Sequence, residues 1–241
     1  MIIFPAMDLM DGCPVRLAQG RFDNATNYLL DPAEAVLAFE AAGAEWAHLV
    51  DLDGARAGAP RQHGLLADIA LSVTLKLQVA GGFREEAHFA RMFDAGVDRV
   101  VVGSLAVKEP DLTRGLFERF GGDRITLALD VKIIDEVPVV ATSGWTELSG
   151  RSLWEVAALY RQARHLLVTD IGRDGMMSGP NCALIEEIAR RLPDVHVQAS
   201  GGVSSLEDLR DLKAAGAAGA IVGKALWEQR IDLRAAIDAG A

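Results

Sequence analysis

Short apolar runs alternate with longer amphipathic stretches along the whole chain. The runs are IIFPAMDL, WAHLVDL, LKLQVAG, DRVVVG, ITLALDV, HLLVTDI, VHVQASG and AGAIVG. They are nearly continuous in apolar character, as strands of a parallel sheet covered on both faces must be. The stretches between them carry the grammar of helices. In DPAEAVLAFEAAG, Asp31 can cap, Pro32 occupies the first turn, Glu34 completes a capping box and Gly43 ends the helix. SSLEDLRDLKAAG repeats that grammar with Ser204, Glu207 and Gly216. Eight strands alternating with seven or eight helices in 241 residues predict an α/β fold, one (β/α)8 TIM barrel over 1–241, because such barrels run to about 250 residues. A doubly wound open sheet is the alternative.

An internal repeat bears on that choice. Gly81 and Gly82 align with Gly201 and Gly202, Gly96 with Gly216 and Gly103 with Gly223, each pair 120 positions apart. Asp8 answers Asp130 and Asp51 answers Asp170 at nearly the same spacing. The pattern predicts half-barrels over roughly 1–121 and 122–241, a twofold arrangement for which an open sheet has no use. One connection breaks the rhythm. KIIDEVPVVATSGWTELSG, Lys132 to Gly150, is too long for an ordinary βα loop and predicts a short hairpin serving as a lid.

Composition narrows the partners. A formal net charge of −10 without clustered Lys and Arg excludes a general nucleic-acid surface. No run approaches the about 18 apolar residues of a membrane span, and MIIFPAMDLMDG lacks the basic flank of a signal peptide. A cytoplasmic, unprocessed protein is expected, with no membrane partner. Cys13, Cys182 and the five scattered histidines show no metal spacing. No metal is expected, and a single acidic barrel of this kind is expected as a monomer, with a dimer left open.

In barrels of this class the chemistry sits at the C-terminal ends of the strands. Asp8, Asp51, Asp130 and Asp170 each close a strand. Asp8 and Asp130 end the first and fifth strands, so they face each other across the mouth as a general acid and base would. Carboxylates sharing a partly dry pocket are pushed apart in pKa, which two-role catalysis requires. Asp51 and Asp170 are either helix caps or catalytic groups. Gly201, Gly202, Gly223 and Lys224 compose a phosphate site after strands seven and eight, and Gly81, Gly82, Gly103 and Ser104 compose its twin. The bland alternative is that these glycines only permit tight turns. Two copies predict a ligand with a phosphate at each end. Arg16, Arg21 and Arg84 lie on loops of the same face and could neutralise phosphate, while Trp145 either stacks on a planar base or pins its loop.

The ordered set PAMDLMDGCPVRLAQG, HLVDLDGA, QVAGGFR, VVVGSLAV, LALDVK, SGW, TDIGRDGMMSGPN, ASGG and IVGKAL resembles, over essentially the whole chain, the isomerases of histidine biosynthesis that act on phosphoribosylformimino-aminoimidazole carboxamide ribotide (ProFAR). The resemblance implies an Amadori rearrangement of a bis-phosphorylated ribonucleotide without metal or cofactor. It implies Asp8 as the base and Asp130 as the proton donor, with Asp174 of the RDG segment a rival for the acid. Thr169 and Asp170 would position substrate, and Gly20 and Gly175 join the substrate-binding set. Two departures stand out: Ala80 replaces a glycine of the family, and Met176 replaces a threonine, removing a hydroxyl near the proposed acid. Three alternatives remain. A dual-substrate isomerase would also take phosphoribosyl anthranilate. The sister cyclase of the imidazole glycerol phosphate synthase typically starts CLDV and carries a lysine near Arg16, and this chain has neither. A non-catalytic sugar-phosphate-binding barrel would need the glycines but not the opposed carboxylates.

Overall fold

The computed structural model describes residues 1–18 and 21–241, with no side-chain description for 17–18 and 21–25. Twelve strands are present among the described residues. They are β1 (Ile2–Met10), β2 (Cys13–Ala18), β3 (Arg21–Asn27), β4 (Trp46–Asp51), β5 (Lys76–Ala80), β6 (Arg99–Val102), β7 (Ile125–Ile134), β8 (Val137–Thr142), β9 (Glu147–Ser152), β10 (His165–Asp170), β11 (His196–Ser200) and β12 (Gly219–Val222). The eight apolar runs form the parallel ring β1-β4-β5-β6-β7-β10-β11-β12, which β12 closes by pairing with β1. This is the closed (β/α)8 barrel, and the open sheet is excluded. Three strands separate β1 from β7 on either side, so the two lie diametrically opposed.

Eleven helical segments, more than the expected seven or eight, lie around the ring among the described residues. They are α1 (Pro32–Ala41), α2 (Leu52–Ala57), α3 (His63–Ser72), α4 (Glu86–Asp94), α5 (Ser104–Lys108), α6 (Pro110–Phe120), α7 (Leu153–Ala157), α8 (Cys182–Arg191), α9 (Leu206–Ala214), α10 (Lys224–Trp227) and α11 (Leu233–Gly240). The surplus comes from one-turn helices such as α5 and α10 that directly follow barrel strands. The α1 boundaries follow its caps: Asp31 accepts from the N–H of Ala33 and Glu34, and Gly43 adopts φ +97° past the end. For α9 the cap falls one residue later than expected. Ser205 Oγ accepts from the Asp208 N–H and the Asp208 carboxylate accepts from the Ser205 N–H, which closes the box, and the same carboxylate also accepts from the N–H and the hydroxyl of Ser204.

Two hairpin pairs leave the ring at its C-terminal rim, one after β1 and one after β7. The β7–β8–β9 excursion is the hairpin expected in 132–150. The β1–β2–β3 excursion was unexpected, although Asp11-Gly12, the Asp-Gly dipeptide that favours a two-residue hairpin turn, marks it. Both residues take left-handed φ, +50° and +78°. The main core fills the space between ring and helices, whereas Phe4, Trp46, Val101, Leu167 and Ile221 plug the barrel interior. No helix among the described residues is long and apolar enough to cross a membrane.

Candidate active site

Above that interior plug, the C-terminal mouth opens into a cavity of about 350 Å³. Asp8 and Asp130 face it from opposed strands, and Asp174 reaches it from the loop after β10. The β2 strand delivers Arg16 between two of these carboxylates: Nη2 donates to Asp174 Oδ2 at 3.2 Å, and Nη1 lies 3.6 Å from Asp8 Oδ2. Burial drives the Asp8 carboxyl up from the ordinary 3.8 to about 6, against the pull of Arg16 and with a further push from the Asp174 charge. Burial also raises Asp130, opposed by hydrogen bonds from Trp145 and Thr169 and reinforced by Asp174. The same Asp174 charge acts on both, which places it between them electrostatically.

Asp130 is held from two directions. Thr169 lies beside it in register on β10 and hydrogen-bonds it. Trp145 donates its indole N–H to Asp130 Oδ2 at 2.8 Å. The β8–β9 turn that carries this indole is unusual: Ser143, Gly144 and Trp145 all adopt left-handed φ, +56°, +63° and +72°. For a bulky residue that conformation costs energy, offset here by the Trp145 contact and by Ser143 N–H donating to Ser104 Oγ at 3.0 Å. The turn thus folds over the mouth. Trp145 pins this turn to β7 and also lines the cavity.

The glycines divide into two kinds. A Cβ on Gly81 would meet the Asp51 carbonyl oxygen at 2.2 Å, and one on Gly82 or Gly202 would meet the carbonyl of Gly54 or Gly179 at 2.3 Å. All three have positive φ, so their first requirement is close packing of neighbouring loops. Gly201 is also at positive φ, with looser surroundings at 3.1 Å. Gly103 and Gly223 differ. An added Cβ would lie in cavity space, no closer than 3.8 Å to Ala128 and 3.5 Å to Arg16 Nη1 respectively. These two leave the room into which an anion could fit, beside the first turns of α5 and α10. Lys224 and Gly175 also border the cavity, joined by a 2.8 Å hydrogen bond from the ammonium to the Gly175 carbonyl, and Arg84 and Ser104 line the opposite side.

Asp170 stands apart from the other expected site residues. The residue is buried, and its carboxylate accepts from Gly172 N–H at 3.0 Å and Asn181 Nδ2 at 2.8 Å, with Arg173 Nε at 3.6 Å. It organises the loop bearing Asp174, whose N–H donates to the Asp170 carbonyl at 3.0 Å. Asp51, by contrast, is a helix cap, accepting from Gly54, Arg61 and Gln62 N–H groups. Gly20 falls outside the described residues, as does the side chain of Arg21. Ala80 lines the cavity wall. Among the described residues no group of three or more His, Cys, Asp or Glu side chains is placed to hold a metal.

Some cavity residues escaped sequence reasoning, notably His48, Ser143 and Ser200. His48 had a readable signal. It is a polar residue in the apolar strand WAHLVD, on the inward period of Trp46 and Val50.

Comparison with known proteins gives this arrangement relatives. The family of histidine biosynthesis proteins matches residues 2–232. Proteins of Maricaulis maris (strain MCS10) and Stenotrophomonas maltophilia (strain R551-3) are each 48% identical to the chain, with 98% of either sequence covered. One of Elusimicrobium minutum (strain Pei191) is 44% identical over 98% of the chain and 99% of its own length. All three are named 1-(5-phosphoribosyl)-5-((5-phosphoribosylamino)methylideneamino)imidazole-4-carboxamide isomerase.

Proposed function

The chain belongs to the histidine biosynthesis protein family, and from that premise we propose that Asp8 and an acid facing it carry out a proton-transfer isomerisation of a doubly phosphorylated ribonucleotide. The enzyme is an isomerase of histidine biosynthesis that converts the aminoaldose ProFAR, the substrate in its relatives' names, into its aminoketose. The observation that carries the assignment of roles is the pair of half-buried carboxyls, Asp8 and Asp130, on opposed strands of one cavity, both pushed up by desolvation.

The reaction needs a proton delivered to the ribose ring oxygen, so that the bond from the anomeric carbon to that oxygen breaks and an iminium forms. A base then takes the proton from the neighbouring carbon, giving an enol amine. Reprotonation at the former anomeric carbon, with loss of the proton from the enol hydroxyl, yields the ketose, so two protons are gained and two lost over the cycle. Asp8, held at about 6, is mostly ionised at neutral pH and still a stronger base than an ordinary carboxylate. Arg16 keeps it from rising further. Two carboxyls are placed for the acid step, Asp130 and Asp174. The terminal phosphates of the substrate sit against the rim at Gly103 with Ser104 and at Gly223 with Lys224, and Arg84 adds charge on the Gly103 side. A half-barrel duplication would account for that pair of rims.

An absorbance assay of EDTA-treated protein with ProFAR tests this reading, with phosphoribosyl anthranilate, and the ketose plus ammonia, run in parallel. Turnover of ProFAR alone is expected. Consumption of the ketose with ammonia and no turnover of ProFAR would overturn it. Asp130→Asn and Asp174→Asn decide the acid, because only loss of the acid removes the alkaline limb of the kcat/KM profile.

A further inference from the structure

Beneath the cavity floor lies a polar layer to which the chemistry above assigns no task. Gln78 on β5 is fully buried and uses every hydrogen-bonding position of its amide. Its Oε1 accepts from Thr126 Oγ1 at 2.8 Å, Gln198 Nε2 at 3.1 Å and Arg99 Nη1 at 3.4 Å. Its Nε2 donates to Gln198 Oε1 at 2.8 Å and faces His48 Nδ1 at 3.1 Å. Arg99 itself is anchored, with Nε donating to the Asp123 carbonyl at 3.1 Å and its guanidinium stacked 4.1 Å from the Trp46 ring centre.

The orientation of this amide follows from the one partner that has no choice. A guanidinium only donates, so the Gln78 atom facing Arg99 is its oxygen, and the atom facing His48 is therefore its nitrogen. An amide nitrogen only donates, so His48 Nδ1 accepts, and the ring proton of the neutral imidazole is on Nε2. That Nε2 has no partner among the described residues. It is not sealed inside either, because Arg16 Nε and Thr113 Oγ1 are the buried side-chain polar atoms without partners among the described residues. His48 lines the cavity, so its N–H opens onto the space where substrate binds.

We propose that Gln78 is a positioning residue of the isomerase, fixing His48 as a neutral imidazole protonated at Nε2, so that the floor of the active site offers an uncharged hydrogen-bond donor to a neutral oxygen of the substrate. The substrate part of this inference rests on the function proposed above. Burial supports it independently by lowering the His48 pKa to about 4. The charged groups sharing the cavity are Asp8, Arg16, Arg84, Asp130, Asp174 and Lys224, and Arg99 lies behind Gln78. An imidazolium among them would compete with Arg16 for Asp8 and weaken it as a base. A neutral donor avoids that, and it matches a ribose or carboxamide oxygen better than a phosphate, which the glycine rims already accommodate.

The test is long-range proton–nitrogen NMR of the ¹⁵N-labelled His48 ring in the intact, substrate-free protein, beside steady-state kinetics. The wild type is expected to show one neutral tautomer, protonated at Nε2, at pH 7. Gln78→Met removes the donor to Nδ1 and should release the ring into both tautomers, with kcat/KM lowered by roughly tenfold, the worth of one neutral hydrogen bond. Gln78→Glu keeps the acceptor for Thr126 and Arg99 but turns an acceptor toward Nδ1. It should move the ring proton to Nδ1 and raise the pH at which the ring charges. A wild-type ring protonated at Nδ1, or an unchanged His48 spectrum in both variants, would overturn the proposal. The spectra are recorded without substrate, so they stand whichever aldose the enzyme turns over, and the wild-type spectrum decides the tautomer even where a variant fails to fold.

Discussion

Asp8→Asn should inactivate the enzyme and, above about pH 6, make it more stable. Asp8 is a base kept in a place that penalises its charge. Its side chain is 19% exposed, and burial outweighs the guanidinium 3.6 Å away, leaving the carboxyl at about 6 where the unfolded chain has 3.8. Between those two values the folded protein retains a proton that the unfolded chain has released. Wild-type stability therefore falls as pH rises through this window and stays lowered above it. Integrated over the window, the loss is about 3 kcal/mol. Asparagine cannot ionise, so the variant lacks this slope, and subtracting the two proteins removes the contribution of the other titrating groups. Urea unfolding of both proteins at steps from pH 4 to 7.5 should show the stability gap widening by that amount in favour of the variant, then levelling off. Turnover should fall by about 10² to 10⁴, the usual worth of a general base, with KM within about tenfold. A gap that does not change with pH would refute the burial argument, and undiminished turnover would remove Asp8 as the base.

Three further expectations follow from neighbouring geometry. Arg16→Met removes the cation that holds Asp8 down, so the acidic limb of the kcat/KM profile should move to higher pH by about 1 unit or more; an unmoved limb would mean that Arg16 does not tune the base. Gly103→Ala and Gly223→Ala place a methyl at the cavity wall no closer than 3.5 Å to any neighbour, so KM should rise while the melting temperature stays close to wild type, whereas Gly82→Ala and Gly202→Ala drive a methyl to within 2.3 Å of a backbone carbonyl and should lower the melting temperature first. Equal thermal losses in all four would return every one of these glycines to turn formation. Trp145→Phe withdraws the indole hydrogen bond that lowers the Asp130 pKa, so the carboxyl should titrate higher, visible as an upward shift of its ¹³C NMR titration curve.

The barrel class was legible because its signal is local. A strand buried on both faces must be apolar at nearly every position, and helices announce themselves by caps and stops, so eight runs and their alternation could be counted without coordinates. The paired glycines and the aspartates at the rim, Asp8 on β1 and Asp130 on β7, were equally visible, although both strands run past them into the hairpins, to Met10 and Ile134. The β1–β2–β3 hairpin was not seen, because its strands lack strong apolar periodicity and its main cue is Asp11-Gly12.

By itself the sequence determined which residues reach the C-terminal rim of the barrel, because strand order and period fix which side chains end each strand and face inward. Only the tertiary structure decided what they do there. Asp170 and Asp8 look alike in sequence, each closing a strand, yet Asp170 is saturated by Gly172 and Asn181, while Asp8 faces Arg16 across a desolvated gap. Gly82 and Gly103 also look alike, yet one is walled by a carbonyl and the other borders open space. The proton on His48 depends on an arginine two strands away, acting through Gln78. Hydrogen-bond saturation, steric room and desolvation are set by atoms brought together from distant parts of the chain, and no local pattern of residues encodes those distances.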